Sequence, residues 1–345
     1  VRCVVVTDMT STVATTVTTR YVETNGIELH VQEAVAVETA GGGKRPLVIL
    51  LHGFPEIGYT WRHQVQALAE AGYRVVVPDQ RGYGLSDAPP NIEDYDMFNL
   101  VADIVGLVHA LGENTAVLVG HDYGGDVASQ CALMRPDLFH AVVLMSFPYR
   151  TRQWGSMKPI ELFDALTGKD MVMYISYFQE PGKAERDLQA NVRESVLGYF
   201  YTVSAEVAPE HQWRFIFSRA ESFFDTMHVP EKVPQYLTEA DIDVYTQAFE
   251  HTGYGPALNW YRNYNRNWEL TPHLSEAKIQ QPALFITGEK DDVLLMMGEA
   301  GVENMEDNFA NLQGKHLIPG AGHCVVEEKP DEVTALLLEF LSQNA

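Results

Sequence analysis

Unbroken apolar runs recur along the chain: PLVILLHG, YRVVVPDQ, TAVLVGHD and AVVLMSF in the first half, and PALFITGEKD much later. Runs of this length without polar alternation predict strands of a parallel sheet covered on both faces. Between them, TWRHQVQALAEAG, LVADIVGLVHALG and GGDVASQCALMRP carry apolar residues at helical spacing. Strands alternating with helices predict an α/β fold: a doubly wound, mostly parallel central sheet flanked by helices. Upstream, NGIELHVQEAVAVE alternates like an antiparallel strand pair near a sheet edge.

The rhythm breaks after Phe147. From Pro148 to about Glu269 the chain is rich in Tyr, Phe, Trp, Arg and Met, with helical spacing and no parallel-strand runs. The strand pattern resumes at QQPALFITGEKDD. This predicts an α/β core over residues 20–147 and 270–343, interrupted by a helical cap over residues 148–269. Ligands of open α/β sheets bind outside the carboxyl ends of the strands, so the cap would roof the site. Residues 1–19, Thr-rich after one short apolar run, read as a loose extension, with Met9 an alternative start. That run is too short for a signal-peptide core or a membrane span.

Composition adds one constraint. The 345 residues are 46% hydrophobic, an ordinary globular figure, but 24 Lys and Arg face 47 Asp and Glu, a net charge of −23. Such a field repels phosphate backbones and anionic lipid, which argues against nucleic-acid or membrane-surface partners. Cys3, Cys131 and Cys324 lie far apart and in no C-x-x-C frame, so a reducing, cytoplasmic setting is expected. A homodimer is compatible with the sequence but not indicated by it.

The candidate chemistry centres on VLVGHDYGGDVA, residues 117–128. Its frame is the G-x-S-x-G elbow of hydrolases, where a strained strand-to-helix turn presents one side chain at the sheet's edge, but the tip is Asp122. Serine attacking a saturated carbon would leave an ether that water does not cleave. A carboxylate leaves an ester, and it is ionised at neutral pH without a base to activate it. Asp122 therefore suits alkyl transfer, not acyl transfer.

Cleaving that ester needs a base for water and an acid to orient the base. LIPGAGHCVVEE places His323 in a Gly-rich loop after a strand-like run, and ALFITGEKDD ends a strand at Asp291. The order Asp122, Asp291, His323 matches the nucleophile–acid–histidine order of this architecture. Neutral His323 would deprotonate the water, so activity should fall on its protonation at acid pH. Asp292 is the competing acid. The oxyanion formed would meet the backbone N–H of Tyr123 and that of Phe54 in LLHGFPE.

A lone G-x-D-x-G could be an accidental turn. Four ordered elements, HGFP, GHDYGG, EKD and GAGH, each at the end of an expected strand, argue otherwise. His52 and His121 flank the site and read as loop-holding residues, as do Asp79 and Arg81. No His/Cys/carboxylate spacing suggests a metal. No glycine fingerprint suggests a dinucleotide, so no cofactor is expected.

The segments HGFPEIGYTWRHQVQALAEAGYRVVVPDQRGYGLSDAP, GHDYGG, YFQEPGKAE, NWYRNYNRNW, GEKD and GAGH together resemble the soluble epoxide hydrolases of the α/β-hydrolase fold. The resemblance runs from about Asn25 to Leu341. It implies a small-molecule epoxide as substrate and two cap tyrosines that donate to the epoxide oxygen: Tyr177 in the YFQEPG motif and Tyr261 in N-W-Y. Other cap tyrosines, Tyr174 and Tyr264 among them, are compatible with packing. It also implies a cis peptide at Phe54–Pro55. Two positions depart from the family pattern: Tyr123 and Cys324 stand where the family often has Trp, which leaves the pocket wall open.

A dehalogenase would use the same aspartate-ester logic, but its halide needs N–H donors where this chain has Tyr123. A non-catalytic ligand receptor would not need the acid, the base and the phenols together. A serine esterase is weaker still, because Ser129 and Ser146 lie outside any G-x-S-x-G frame.

Overall fold

The computed structural model describes residues 15–37, 45–151, 157–297 and 304–345. Strands β1 (Thr15–Thr24) and β2 (Ile27–Ala36) form an antiparallel hairpin. Its two-residue turn is Asn25-Gly26, both at positive φ (44° and 76°), the chemistry that primed hairpin turns demand. Residues 15–19 are thus part of a strand and not a loose extension. Their Thr/Val content suits a half-buried edge strand, a signal that the Thr-rich composition hid. The rest of the expected extension lies outside the described residues.

The eight-stranded sheet runs β1-β2-β4-β3-β5-β6-β9-β10. Strands β3 (Leu47–Leu51), β4 (Arg74–Pro78), β5 (Ala116–His121), β6 (Phe139–Met145), β9 (Ile279–Gly288) and β10 (Phe309–Ile318) are parallel. β2 joins β4 antiparallel. The fully buried β3 shows why the runs are continuous. Leu47, Ile49 and Leu51 face one core with α2 (Met97–Ala110) and α3 (Tyr123–Met134), while Val48 and Leu50 face a second core with α1 (Arg62–Glu70) and the C-terminal helix Pro330–Asn344.

Between β6 and β9 the chain forms helices α4 (Pro159–Thr167), α5 (Tyr174–Tyr177), α6 (Lys183–Gln189), α7 (Val192–Thr202), α8 (Glu239–Thr252), α9 (Gly255–Arg262) and α10 (Tyr264–Leu270). They are joined by a small antiparallel pair, β7 (Met171–Met173) with β8 (Ile216–Ser218), which the helical pattern did not suggest. These elements are tied to the core by buried polar contacts. Arg62 reaches Asp241 of α8 (3.3 Å) and Glu327 of the core, and Tyr245 of α8 donates to Glu327 (3.0 Å). The Trp260 indole donates to the Arg81 carbonyl (3.1 Å). Among the described residues no helix is long and apolar enough to cross a membrane.

Candidate active site

The elbow follows β5. Asp122 has φ 49° and ψ −123°, a strained conformation that costs on the order of 1–3 kcal/mol and is held by its surroundings. Its N–H donates to Met145 (2.9 Å) and its carbonyl accepts from Gly125 (2.8 Å). The frame needs glycine because the backbones cross closely. A Cβ at Gly120 would lie 2.1 Å from the Gly124 carbonyl oxygen, and one at Gly124 would lie 2.3 Å from that of Leu51.

The carboxylate of Asp122 is divided between two partners. Oδ1 accepts from the Phe54 N–H at 2.9 Å, and Oδ2 lies 3.4 Å from His323 Nε2. Phe54 sits in the turn after β3, and its peptide to Pro55 is cis. Tyr123 is the first residue of α3, where amide groups have no partner within the helix.

His323 stands in the loop after β10, with Nδ1 3.0 Å from Asp291 Oδ1. The carboxylate only accepts, so Nδ1 carries the proton. Asp291 follows β9 and also accepts from Thr287 (2.6 Å) and from the Val293 N–H (2.9 Å). Burial alone would lower the His323 pKa. The Asp291 charge, then hydrogen bonds to Asp122 and Asp291 and the Asp122 charge, overcome that and raise it well above the usual value. Burial likewise pushes Asp291 upward, but the charge of His323 and hydrogen bonds from His323, Thr287 and Val293 hold its pKa below the ordinary range. Asp292 bonds to neither ring nitrogen; it lines the cavity instead.

A second layer positions these groups. His121 lies 3.0 Å (Nδ1) from Glu56 and 2.8 Å (Nε2) from the His323 carbonyl. Both neighbours accept only, so both ring nitrogens carry protons. Burial opposes that charge, yet the Glu56 charge and hydrogen bond raise the His121 pKa. Glu56 also accepts from the Gly53 N–H (2.9 Å), so one buried ion pair ties the Phe54 turn to the His323 loop. His52 accepts from the Gln80 N–H at Nε2 (3.0 Å), while its Nδ1 meets the Gly53 carbonyl (2.9 Å). Asp79 accepts from Gly58 (2.9 Å) and Leu85 (3.2 Å), and Arg81 pairs with Asp103 (2.6 Å): loop-holding contacts, as read from the sequence. The two serines are committed elsewhere. Ser146 donates to the His323 carbonyl (2.9 Å) and Ser129 to that of Asp126 (2.7 Å).

A narrow cavity opens over Asp122 and His323. Its wall is aromatic and apolar: Phe54, Tyr174, Phe178, Tyr199, Val203, Trp213, Phe223, Tyr261 and Val293. Tyr261 is where the N-W-Y motif suggests. Tyr177 is not. Its hydroxyl donates to Asp187 of α6 at 2.7 Å, and it is absent from the wall. The single turn of α5 explains the correction. Residues 174 and 178, four apart, share the cavity face, and residue 177 lies about 60° from residue 174 and about 100° from residue 178 around the axis. The phenol facing Asp122 beside Tyr261 is Tyr174, with ring centroids 6.1 Å apart. Burial and then the Asp122 charge raise both pKa values, so both phenols stay protonated as donors. Neither hydroxyl has a hydrogen-bond partner among the described residues. Tyr199 and Trp213 were also missed; no motif marks them, and only the tertiary fold brings them to the wall.

Among the described residues no group of three or more His, Cys, Asp or Glu could hold a metal ion. A carboxylate at the elbow of a parallel sheet, an imidazole and a second carboxylate at neighbouring strand ends, and a roof of helices define an α/β-hydrolase. The family model for the alpha/beta hydrolase fold matches residues 46–330. The crystal structure of epoxide hydrolase A from Mycobacterium thermoresistibile is 42% identical, covers 96% of this chain and 99% of its own, and superposes with a TM-score of 0.87. An epoxide hydrolase structure from Vigna radiata is 34% identical with a TM-score of 0.80, covering 95% and 98%. Epoxide hydrolase A of Mycobacterium tuberculosis is 39% identical across 94% of this chain and 97% of its own. The chain belongs to the epoxide hydrolases of the α/β-hydrolase fold.

Proposed function

We propose that the chain converts an epoxide and water into a vicinal diol through a covalent ester on Asp122. The observation that carries this reading is the division of the Asp122 carboxylate. Oδ1 is already held by the Phe54 N–H, and Oδ2, on the His323 side, is left to attack. Oδ2 forms a bond to one epoxide carbon as the carbon–oxygen bond of the ring breaks. Tyr174 and Tyr261 donate to the ring oxygen, and a phenol proton goes to the developing alkoxide.

The second step is hydrolysis. His323, with Asp291 fixing its tautomer, takes a proton from water as the water oxygen adds to the ester carbonyl carbon. The oxyanion on Oδ1 meets the Phe54 and Tyr123 N–H groups, each such donor typically worth ~3 kcal/mol. On collapse His323 returns that proton to Oδ2 as the ester C–O bond breaks, so the diol leaves with Oδ2 as one of its oxygens. The water oxygen stays on Asp122, and the second water proton restores the phenol. Esterification also removes the Asp122 charge and hydrogen bond that help raise the His323 pKa. The imidazole therefore sheds its proton more readily at the stage where it must act as a base.

The dehalogenase reading lacks its side-chain donor at the position after the nucleophile. The Tyr123 phenol is spent on the Trp260 carbonyl (2.9 Å), and the Trp260 indole on that of Arg81. Cys131 and Cys324 are buried and free, which fits a reducing compartment, and we place the enzyme in the cytoplasm.

Replacing the base tests the scheme. In His323→Gln, ring opening should continue while hydrolysis slows by about a thousandfold or more, so intact-protein mass spectrometry should find one substrate mass added to Asp122. A variant that is inactive and carries no adduct under substrate excess would reject the covalent intermediate.

A further inference from the structure

Asp292 has no part in the two steps above, yet it faces the reacting groups. It opens helix α11 (Asp292–Met297), is 7% exposed and lines the same cavity as Asp122 and His323. Its carboxylate has no hydrogen-bond partner among the described residues. Neither ordinary structural duty explains it. The first free amide of α11, that of Val293, is taken by Asp291, and so is His323 Nδ1. A carboxylate with no protein hydrogen bond in a largely aromatic cavity is left to water or to a bound molecule for its partner. Burial, and next the Asp291 charge, lift its pKa to about 6, so it remains largely charged in neutral buffer.

We propose that Asp292 sets the substrate class: it accepts from epoxides whose substituent carries a hydrogen-bond donor and repels those carrying a carboxylate. The proposal rests on reading this cavity as the epoxide site. The repulsion is local. The net charge of −23 is spread over the whole chain and screened by salt, whereas a substrate carboxylate inside the cavity meets Asp292 with little water between them. Rejection by an unpaired like charge is a strong form of discrimination.

The test compares 3-phenylglycidamide with 3-phenylglycidate, two epoxides of nearly one shape that differ in charge and donor, with styrene oxide as the neutral reference. The wild type should favour the amide in kcat/KM by at least about tenfold. Asp292→Asn should raise kcat/KM for the carboxylate by about tenfold, a gain that no folding defect produces, while Asp292→Glu keeps the wild-type preference. A wild type that hydrolyses both compounds equally well overturns the proposal without any variant. So does an Asp292→Asn enzyme with an unchanged amide-to-carboxylate ratio. A wild type inactive on all three compounds, styrene oxide included, fails the epoxide reading itself.

Discussion

At the scale of single residues, the proposed chemistry turns on one proton. His323 sits between two carboxylates whose charges raise its pKa, and one of them vanishes when the ester forms. The sign of the pH effect follows. Protonated imidazole cannot accept a proton from water, so ester hydrolysis should slow by about tenfold per pH unit below the His323 pKa of the ester form. Ring opening as proposed does not use His323 as a base and should persist to lower pH. Rapid-quench measurements at falling pH should therefore show the alkyl ester accumulating before diol formation stops. A hydrolysis rate that stays level from neutrality to about pH 5 would remove His323 from that role.

At the scale of elements, one helical turn decides which phenols reach the cavity. Tyr174 and Phe178 face the cavity, and Tyr177 is spent on Asp187. Tyr174→Phe and Tyr261→Phe should each lower kcat/KM by about ten- to a hundredfold, and the double change by far more if either donor partly covers for the other. Tyr177→Phe should leave kcat/KM within about threefold, its cost falling on cap stability instead, by about 1 kcal/mol. Steady-state kinetics on styrene oxide would show it, and a large kcat loss in Tyr177→Phe alone would reverse the assignment. The same turn marks where sequence reading stops. Continuous apolar runs announced the parallel strands, and the turn glycines announced the elbow and the His323 loop, because both are local demands on a backbone. The orientation of a four-residue helix is set by what packs on it, and no run or motif within YISYFQEPG records that. The Thr-rich β1 was hidden for the opposite reason: its composition looked like a tail until the Asn25-Gly26 turn paired it with β2.

At the scale of the molecule, the sheet assembles the site from separate stretches: the turn after β3, the elbow after β5, and the loops after β9 and β10. The helices between β6 and β9 add the phenols. Buried ties such as Arg62 with Asp241 and Glu327 hold that roof over the strand ends. The whole arrangement implies that the oxygen added to the epoxide comes first from the protein and only later from solvent. A single turnover in heavy-oxygen water, with enzyme in excess over styrene oxide, tests this most directly. The account predicts an unlabelled diol and one heavy oxygen left on Asp122; a labelled first-turnover diol would mean direct attack by water and would contradict it.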